Sequence, residues 1–495
     1  MKTLGIDVGT GGTRAVVVDR EGRVIASATA EHIPFASTHT GWAEQNPEDW
    51  WLATIKVIRE VLAKLSGDEI VSIGFSGQMH GLVLLDQSAQ VLRPAIIWCD
   101  QRTDAQCKSL TETIGAEQLI ELTCNPALTG FTLPKMLWVR QWEPELWQKV
   151  RSALLPKDYV RLRLSGDRAT DVADASGTLL FDVKARKWSS EMLATADIDE
   201  RLLARVYESP DVTGSISKAG AEATGLRAGT PVVAGAGDQA AGAVGMGIIR
   251  PGTASVTIGT SGVVFASTDK PKLDLKGRVH TLCHAIPNRW HVMGVTQGAG
   301  LSLRWFRDQF GVMDRNDSAN YDLLTKEAAS VSPGSDGLIW TPYLMGERTP
   351  HLDPFARAAL VGLTASHTRA HIVRAVLEGV AFSLRDAFEI LNEMGVQVEE
   401  IRLGGGGARS NLWRQIQADV YRQPVKMIAA EEGAALGAAL LAGVGVGIWP
   451  SVDAACDAVV RIDERIEPNA ESMRILARNY DRFKQIYPAL KTLTS

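Results

Sequence analysis

One short pattern occurs twice in this chain, about 250 residues apart, and both times it joins two apolar runs across a glycine turn. Near the N-terminus, Leu4-Gly5-Ile6 leads through Asp7-Val8-Gly9-Thr10-Gly11-Gly12-Thr13 into Arg14-Ala15-Val16-Val17-Val18. In the second half, Ala254-Ser255-Val256-Thr257-Ile258 leads through Gly259-Thr260-Ser261-Gly262 into Val263-Val264-Phe265-Ala266. Turn residues between β-branched runs predict hairpins. Their recurrence predicts two related domains, each presenting a glycine turn to a shared cleft. A length of 495 residues accommodates this.

The rest of the chain fits the same frame. Trp50, Trp51, Ile55, Ile58 and Leu62 repeat at helical spacing and predict a helix near 47–65, followed by a strand over 70–75. The boundary is expected near 242–251, giving domains 1–245 and 246–495, with a hinge in the glycines of 242–252. Later come a long helix near 367–393, a strand over 400–403, and the tract Gly404-Gly405-Gly406-Gly407. The uncharged stretch 433–452 holds five glycines and Pro450, which predicts a buried small-residue helix and not a membrane span. Met473, Leu476, Tyr480, Phe483 and Tyr487 share one face of a terminal helix, expected to pack back on the first domain.

Composition narrows the function. An apolar fraction of 45% with 22% charged residues excludes a disordered chain. A net charge of −5 gives no general attraction to nucleic acid or anionic lipid, so neither is expected as a partner. Any phosphate-bearing ligand must be held by local geometry. The five cysteines have no CxxC pair, which reads as a reduced, cytoplasmic protein; no targeting segment is expected, since Met1-Lys2-Thr3 runs straight into a strand.

A glycine turn exposes several backbone N–H groups together and binds phosphate oxygens without a Cβ clash. Two matched turns plus a third glycine tract favour a nucleotide. No Walker A motif is present, and Arg409 stands where a dinucleotide fingerprint needs its third glycine. His280, Cys283 and His284 lack a fourth ligand and read as a strand.

Several stretches resemble the FGGY family of carbohydrate kinases, within the sugar kinase/Hsp70/actin superfamily. Gly130-Phe131-Thr132-Leu133-Pro134-Lys135-Met136-Leu137-Trp138 is similar to the family's first signature; Ala358-Ala359-Leu360-Val361-Gly362-Leu363 with His371-Ile372-Val373-Arg374-Ala375-Val376-Leu377-Glu378 is similar to the second. The likeness runs from about Leu4 to Tyr487. Ser76-Gly77-Gln78-Met79-His80-Gly81 and Gly346-Glu347-Arg348-Thr349-Pro350-His351 look like the branch that phosphorylates D-xylulose. The resemblance implies an α/β fold of two ribonuclease H-like (actin-like ATPase) domains around a deep cleft. It implies D-xylulose and ATP as ligands, with Mg²⁺; a homodimer is left open. Kinases of this family acting on ribulose, gluconate or glycerol are the alternative, with a non-kinase actin- or Hsp70-like ATPase module behind them.

The site residues follow from both readings. Asp238 ends an apolar strand before a small-residue helix; alone it reads as an N-cap or a base, and the resemblance makes it the catalytic base. Asp7, in an apolar strand beside the first turn, either faces Mg²⁺ or closes an Asx turn. Both are expected at the metal, Asp238 through water. By resemblance Met79 packs on the ketose, His80 donates to a sugar hydroxyl, and Asp100 and Gln239 contact the sugar; Lys157 and Asp158 are weaker candidates. The nucleotide is expected on Thr10, Gly11, Gly12, Thr13, Gly259, Thr260, Ser261, Gly404, Gly405, Gly406, Gly407, Ala408 and Asn411, with Asn411 or Gln415 at the adenine edge.

Overall fold

Apolar β-branched runs joined by glycine turns form two large sheets in the computed structural model, which describes residues 1–65, 69–310, 317–429 and 433–494. The first sheet holds β1 (Lys2–Val8), β2 (Gly12–Asp19), β3 (Val24–Glu31), β4 (Ile70–Gly77), β5 (Val212–Ser215), β6 (Pro231–Val233) and β7 (Ala236–Gly237). Its order is β5-β6-β4-β1-β2-β3, with β7 beside β4. The second holds β8 (Thr253–Ile258), β9 (Gly262–Thr268), β10 (His280–Cys283), β11 (Trp290–Thr296), β12 (Glu400–Gly404), β13 (Val425–Ile428) and β14 (Ile462–Ile466), in the order β10-β11-β9-β8-β12-β13-β14. Both sheets have an antiparallel meander whose first strand takes a parallel neighbour on its other edge: β1 beside β4, β8 beside β12. The repeated hairpin of the sequence is thus the seed of a repeated sheet.

Helices cover these sheets. α1 (Pro47–Leu62) starts with proline in its first turn, and the Asn46 side chain accepts from Glu48 N–H. It buries Trp50, Val57, Ile58 and Val61 in the first core. The others that matter for the site are α2 (Asp238–Gly245), α3 (Ala299–Phe310), α4 (Asp317–Ala329), α5 (Arg369–Glu393), α6 (Asn411–Tyr421), α7 (Gly433–Gly445) and α8 (Ala470–Thr494).

One expectation is corrected here. The apolar face of α8 is spent on the second core, where Leu476, Tyr480 and Phe483 pack with Phe382 and Trp340. The segment that crosses to the first sheet is α7, against α2, β1 and β4. Its small residues decide this. A Cβ on Gly5 would lie 1.9 Å from the Ala435 carbonyl oxygen, and one on Gly437 1.8 Å from that of Ala241. Bulky α8 cannot approach a sheet so closely. Among the described residues no helix is long and apolar enough to cross a membrane, and all five cysteines are free. The two halves also meet at β10 and β11: Asn125 Nδ2 donates to Thr281 O (2.9 Å), Cys283 N to Ser176 Oγ (3.1 Å) and Trp290 Nε1 to Val183 O (2.7 Å).

Candidate active site

The carboxyl ends of the central strands, where open α/β sheets place their ligands, bring the two acidic candidates together. Register puts Asp7 of β1 opposite Ser76 of β4, and Ser76 opposite Ala236 of β7. Asp238 follows at once as the first residue of α2, with Gly237 in the capping position. Asp238 is therefore not a side-chain N-cap. Burial lifts its pKa to about 7, and the nearby Asp7 charge adds to this against hydrogen bonds from Gln239. Burial also raises Asp7, with the Arg14 charge opposing, and Asp7 Oδ1 is buried without a partner.

The first turn is tied down from several directions. Gly9 N donates to Gly12 O (3.0 Å), Gln45 Nε2 to Thr10 O (2.8 Å), and Trp98 Nε1 to Thr10 Oγ1 (2.9 Å). Gly11 is exposed with open space around it. Thr13 departs from expectation: its side chain is buried against His32 Nε2 (2.8 Å) because β2 turns it away from the cleft. In the second turn Gly259 and Thr260 are exposed. At the third tract Gly405 has φ +74°, and a Cβ there would lie 2.6 Å from Ile258 O, so glycine lets the tract lie across the end of β8.

Two cavities meet at the second turn. One, of about 320 Å³, is lined by Gly259, Thr260, Gly406, Gly407, Ser410 and Trp413, with Arg304, Tyr321, Asp322 and Thr325 from α3 and α4. Gly404, Gly405 and Ala408 face a separate space beside Met246 and Met427. Asn411 is exposed and lines neither, since α6 turns Ser410 and Trp413 inward instead. Gln415 is bound to Asp419 (2.9 Å) and Glu467 O (2.9 Å), away from this cavity.

The other cavity, of about 150 Å³, is lined by Thr10, Met79, His80, Trp98, Phe131, Asp238 and Gln239 from the first half, and by Ser261, Val263, Met293, Val295 and Arg348 from the second. His80 sits at φ +67°. Its carbonyl accepts from Lys135 Nζ (2.8 Å) and Thr132 Oγ1 (3.1 Å), which gives the first signature a physical task. Its Nδ1 lies 2.7 Å from Gly177 O, and a Cβ on Gly177 would strike the ring at 2.4 Å. Burial lowers its pKa to about 3. The expected donor role reverses: a carbonyl carries no proton, so the neutral ring spends Nδ1–H there and leaves Nε2 as an acceptor.

Asp100 is not brought to the cavity. It is fully buried, paired with Arg102 (2.7 Å) and accepting from Ala43 N (2.6 Å), while Arg102 stacks 3.7 Å over Trp42. An ion pair two residues apart satisfied the acid locally. Lys157 and Asp158 form a buried cluster with Asp171 and Asp174, the Lys157 Nζ distances being 2.5, 2.7 and 3.3 Å. They lie behind Gly77, not in the cavity. Nothing in the sequence by itself assigns a role to Arg348, Trp98, Phe131, Trp413 or the α3–α4 residues of these cavities. Arg348 lies within the stretch 346–351 that carries the family resemblance; the α3–α4 residues carry no such signal.

Among the described residues no three His, Cys, Asp or Glu side chains are grouped to hold a metal. Two carboxylates with one orphaned oxygen suit a hard divalent ion completed by phosphate oxygens and water.

Known proteins align with this architecture over its whole length. Residues 2–245 match the N-terminal domain, and residues 254–446 the C-terminal domain, of the FGGY family of carbohydrate kinases. A "Xylulose kinase" of Bacillus subtilis (strain 168) is 40% identical over 494 residues, covering 99% of this chain and 98% of that one. One of Lactococcus lactis is 39% identical, covering 98% and 96%. The crystal structure of xylulose kinase from Rhodospirillum rubrum superposes with a TM-score of 0.92 at 30% identity, with 100% of both chains covered. Paired glycine turns, an acid at the strand ends and end-to-end similarity thus converge on one conclusion: the chain belongs to the FGGY family of carbohydrate kinases.

Proposed function

We propose that this enzyme transfers the γ-phosphoryl group of ATP to the terminal hydroxyl of D-xylulose, giving D-xylulose 5-phosphate and ADP. The observation that carries it is the second turn's position: Thr260 lines the larger cavity and Ser261 the smaller one, in which Asp238 sits. A nucleotide in the first cavity points its phosphates along that turn towards the second. The similarity to xylulose kinases supports the ketose as acceptor.

Asp238 is the general base. Its pKa of about 7 matches a group that must be ionised before the hydroxyl arrives yet still hold a proton. Backbone N–H groups of residues 10–12 and 260–261 steady the phosphate charge, those of Gly9 and Gly259 being spent on Gly12 O and Ser261 O to close the turns. Gln239 orients Asp238. Asp7, with Asp238 through water, would hold Mg²⁺, which supplies charge neutralisation at the phosphates. Residues 1–245 carry most of the acceptor site, completed by Ser261 and Arg348 from the second half, and residues 246–495 carry the nucleotide.

A coupled ADP-release assay across D-xylulose, ribulose, gluconate and glycerol tests the reading. D-xylulose is expected to give the highest kcat/KM; a tenfold preference for another acceptor overturns it.

A further inference from the structure

The smaller cavity contains a cation that the reaction at Asp238 leaves unused. Arg348 lines it from the second half of the chain. Among the described residues no hydrogen bond or ion pair ends on its guanidinium. Burial lowers its pKa, with only the Glu347 charge opposing. The Glu347 carboxylate is itself committed to Thr296 Oγ1 (2.5 Å), Gln297 N (2.9 Å) and the Arg348 backbone N (2.7 Å). That buried acid fixes the turn and leaves the guanidinium facing the cavity.

Its place within the cavity is informative. The next residue, Thr349, is tied to Val295 N (3.0 Å) and to Arg278 O (2.7 Å), two residues from His280, and the His280 and His80 rings flank Phe131 at 5.5 and 4.8 Å. Asp238 instead feels Asp7 and Gln239. Arg348 therefore belongs to the end of the acceptor away from the reacting hydroxyl. There it stands beside His80, whose Nδ1–H is held by Gly177 O at 2.7 Å. So this end presents a group that only donates next to a ring nitrogen that only accepts.

The chemistry of the acceptor supplies the match, and this step rests on the reading above. A ketopentose closes its furanose ring through O5. The form phosphorylated at O5 is therefore acyclic, and its C2 is a free ketone. A ketone oxygen only accepts; the C1 hydroxyl beside it can donate. We infer that Arg348 and His80 together read the hydroxymethyl-ketone end of an acyclic ketose, the guanidinium donating to the C2 oxygen and His80 Nε2 accepting from the C1 hydroxyl. Reduction makes C2 tetrahedral, so its oxygen leaves the planar position that the guanidinium fork meets, and it adds a hydroxyl proton for which the pair supplies no acceptor, His80 Nε2 being taken by the C1 hydroxyl; such a misplaced, unpaired group is penalised.

Two substrate–mutant cycles test this. kcat/KM is measured for D-xylulose, for xylitol and D-arabitol (C2 reduced) and for 1-deoxy-D-xylulose (C1 hydroxyl absent), in wild type, Arg348→Met, Arg348→Lys and His80→Ala. Arg348→Met is expected to shrink the ketose-to-pentitol preference by about tenfold or more. His80→Ala is expected to abolish the wild-type penalty for losing the C1 hydroxyl, roughly fivefold or more. KM for ATP should change less than about twofold. Arg348→Lys keeps the charge without the planar fork and should retain part of the preference; it decides the case if Arg348→Met does not fold. Losses that fall equally on ketose and pentitol, or a matching rise in KM for ATP, overturn the inference while leaving the kinase reading intact. Wild type inactive on D-xylulose but active on another acceptor overturns the reading and the inference with it.

Discussion

Asp238 is held by two opposing demands. As the proposed base it must be desolvated enough to pull a proton and remain ionisable near neutrality. Burial and the Asp7 charge raise its pKa to about 7. Asp238→Ala is expected to lower kcat by about two to four decades with little change in nucleotide affinity; steady-state kinetics with equilibrium ATP binding checks both. Because the ionised form is the active one, kcat/KM for the sugar should rise with pH and level off above about 7. A profile flat from pH 5.5 to 8.5 would remove Asp238 from the role of base. Asp7 helps set where that limb falls, since its charge is the second cause of the shift.

At the scale of elements, close packing of small residues does what a large core does elsewhere. α7 meets the first sheet and α2 through glycine and alanine, with Gly437 under the Ala241 carbonyl and Gly245 under that of Gly433. Gly437→Ala would drive a Cβ into backbone 1.8 Å away, which no rotamer relieves. A loss of about 1–3 kcal/mol is expected, read as a lower denaturant midpoint. The α5–α8 contact has a different sensitivity. Tyr480 OH donates to Asp386 Oδ1 at 2.6 Å, and burial raises the Asp386 pKa to about 7. A folded pKa raised above the unfolded value means stability that is fully present below about pH 4 and is lost as pH rises through about 7. Asp386→Asn keeps an acceptor for Tyr480 and cannot ionise. The variant should therefore gain on wild type as pH rises from 5 to 8 in parallel thermal melts; identical pH dependence would contradict the shift.

For the whole molecule, the smaller cavity draws on both halves of the chain and the larger one on the second half, the halves being joined by α7 and by the β10–β11 contacts. Water in an open cleft would compete as phosphoryl acceptor, so the sugar must supply the contacts that close it. D-xylulose should reduce the radius of gyration in small-angle scattering and slow hydrogen exchange near 242–252. ATP hydrolysis without sugar should be slow. An unchanged radius together with unchanged exchange would exclude closure. The same scale separates what was legible in the sequence from what was not. Both glycine hairpins, the small-residue helix of 433–445 and Asp238 at a strand end could be read directly, because turn chemistry, strand periodicity and side-chain size are properties of neighbouring residues. Which side chains face the cleft could not. Asp100 turns to Arg102 and to the backbone of Ala43. Thr13 turns to His32. The polarity of His80 is set by a carbonyl 97 residues away, at Gly177. Arg348 reaches the acceptor cavity from the other half of the chain. The sequence alone determined the repeated hairpins and their glycine turns, since each forms from its own local segment. Tertiary structure alone decided the donors, acceptors and charges that line the smaller cavity, since a hydrogen bond's direction depends on partners that only folding brings within 3 Å.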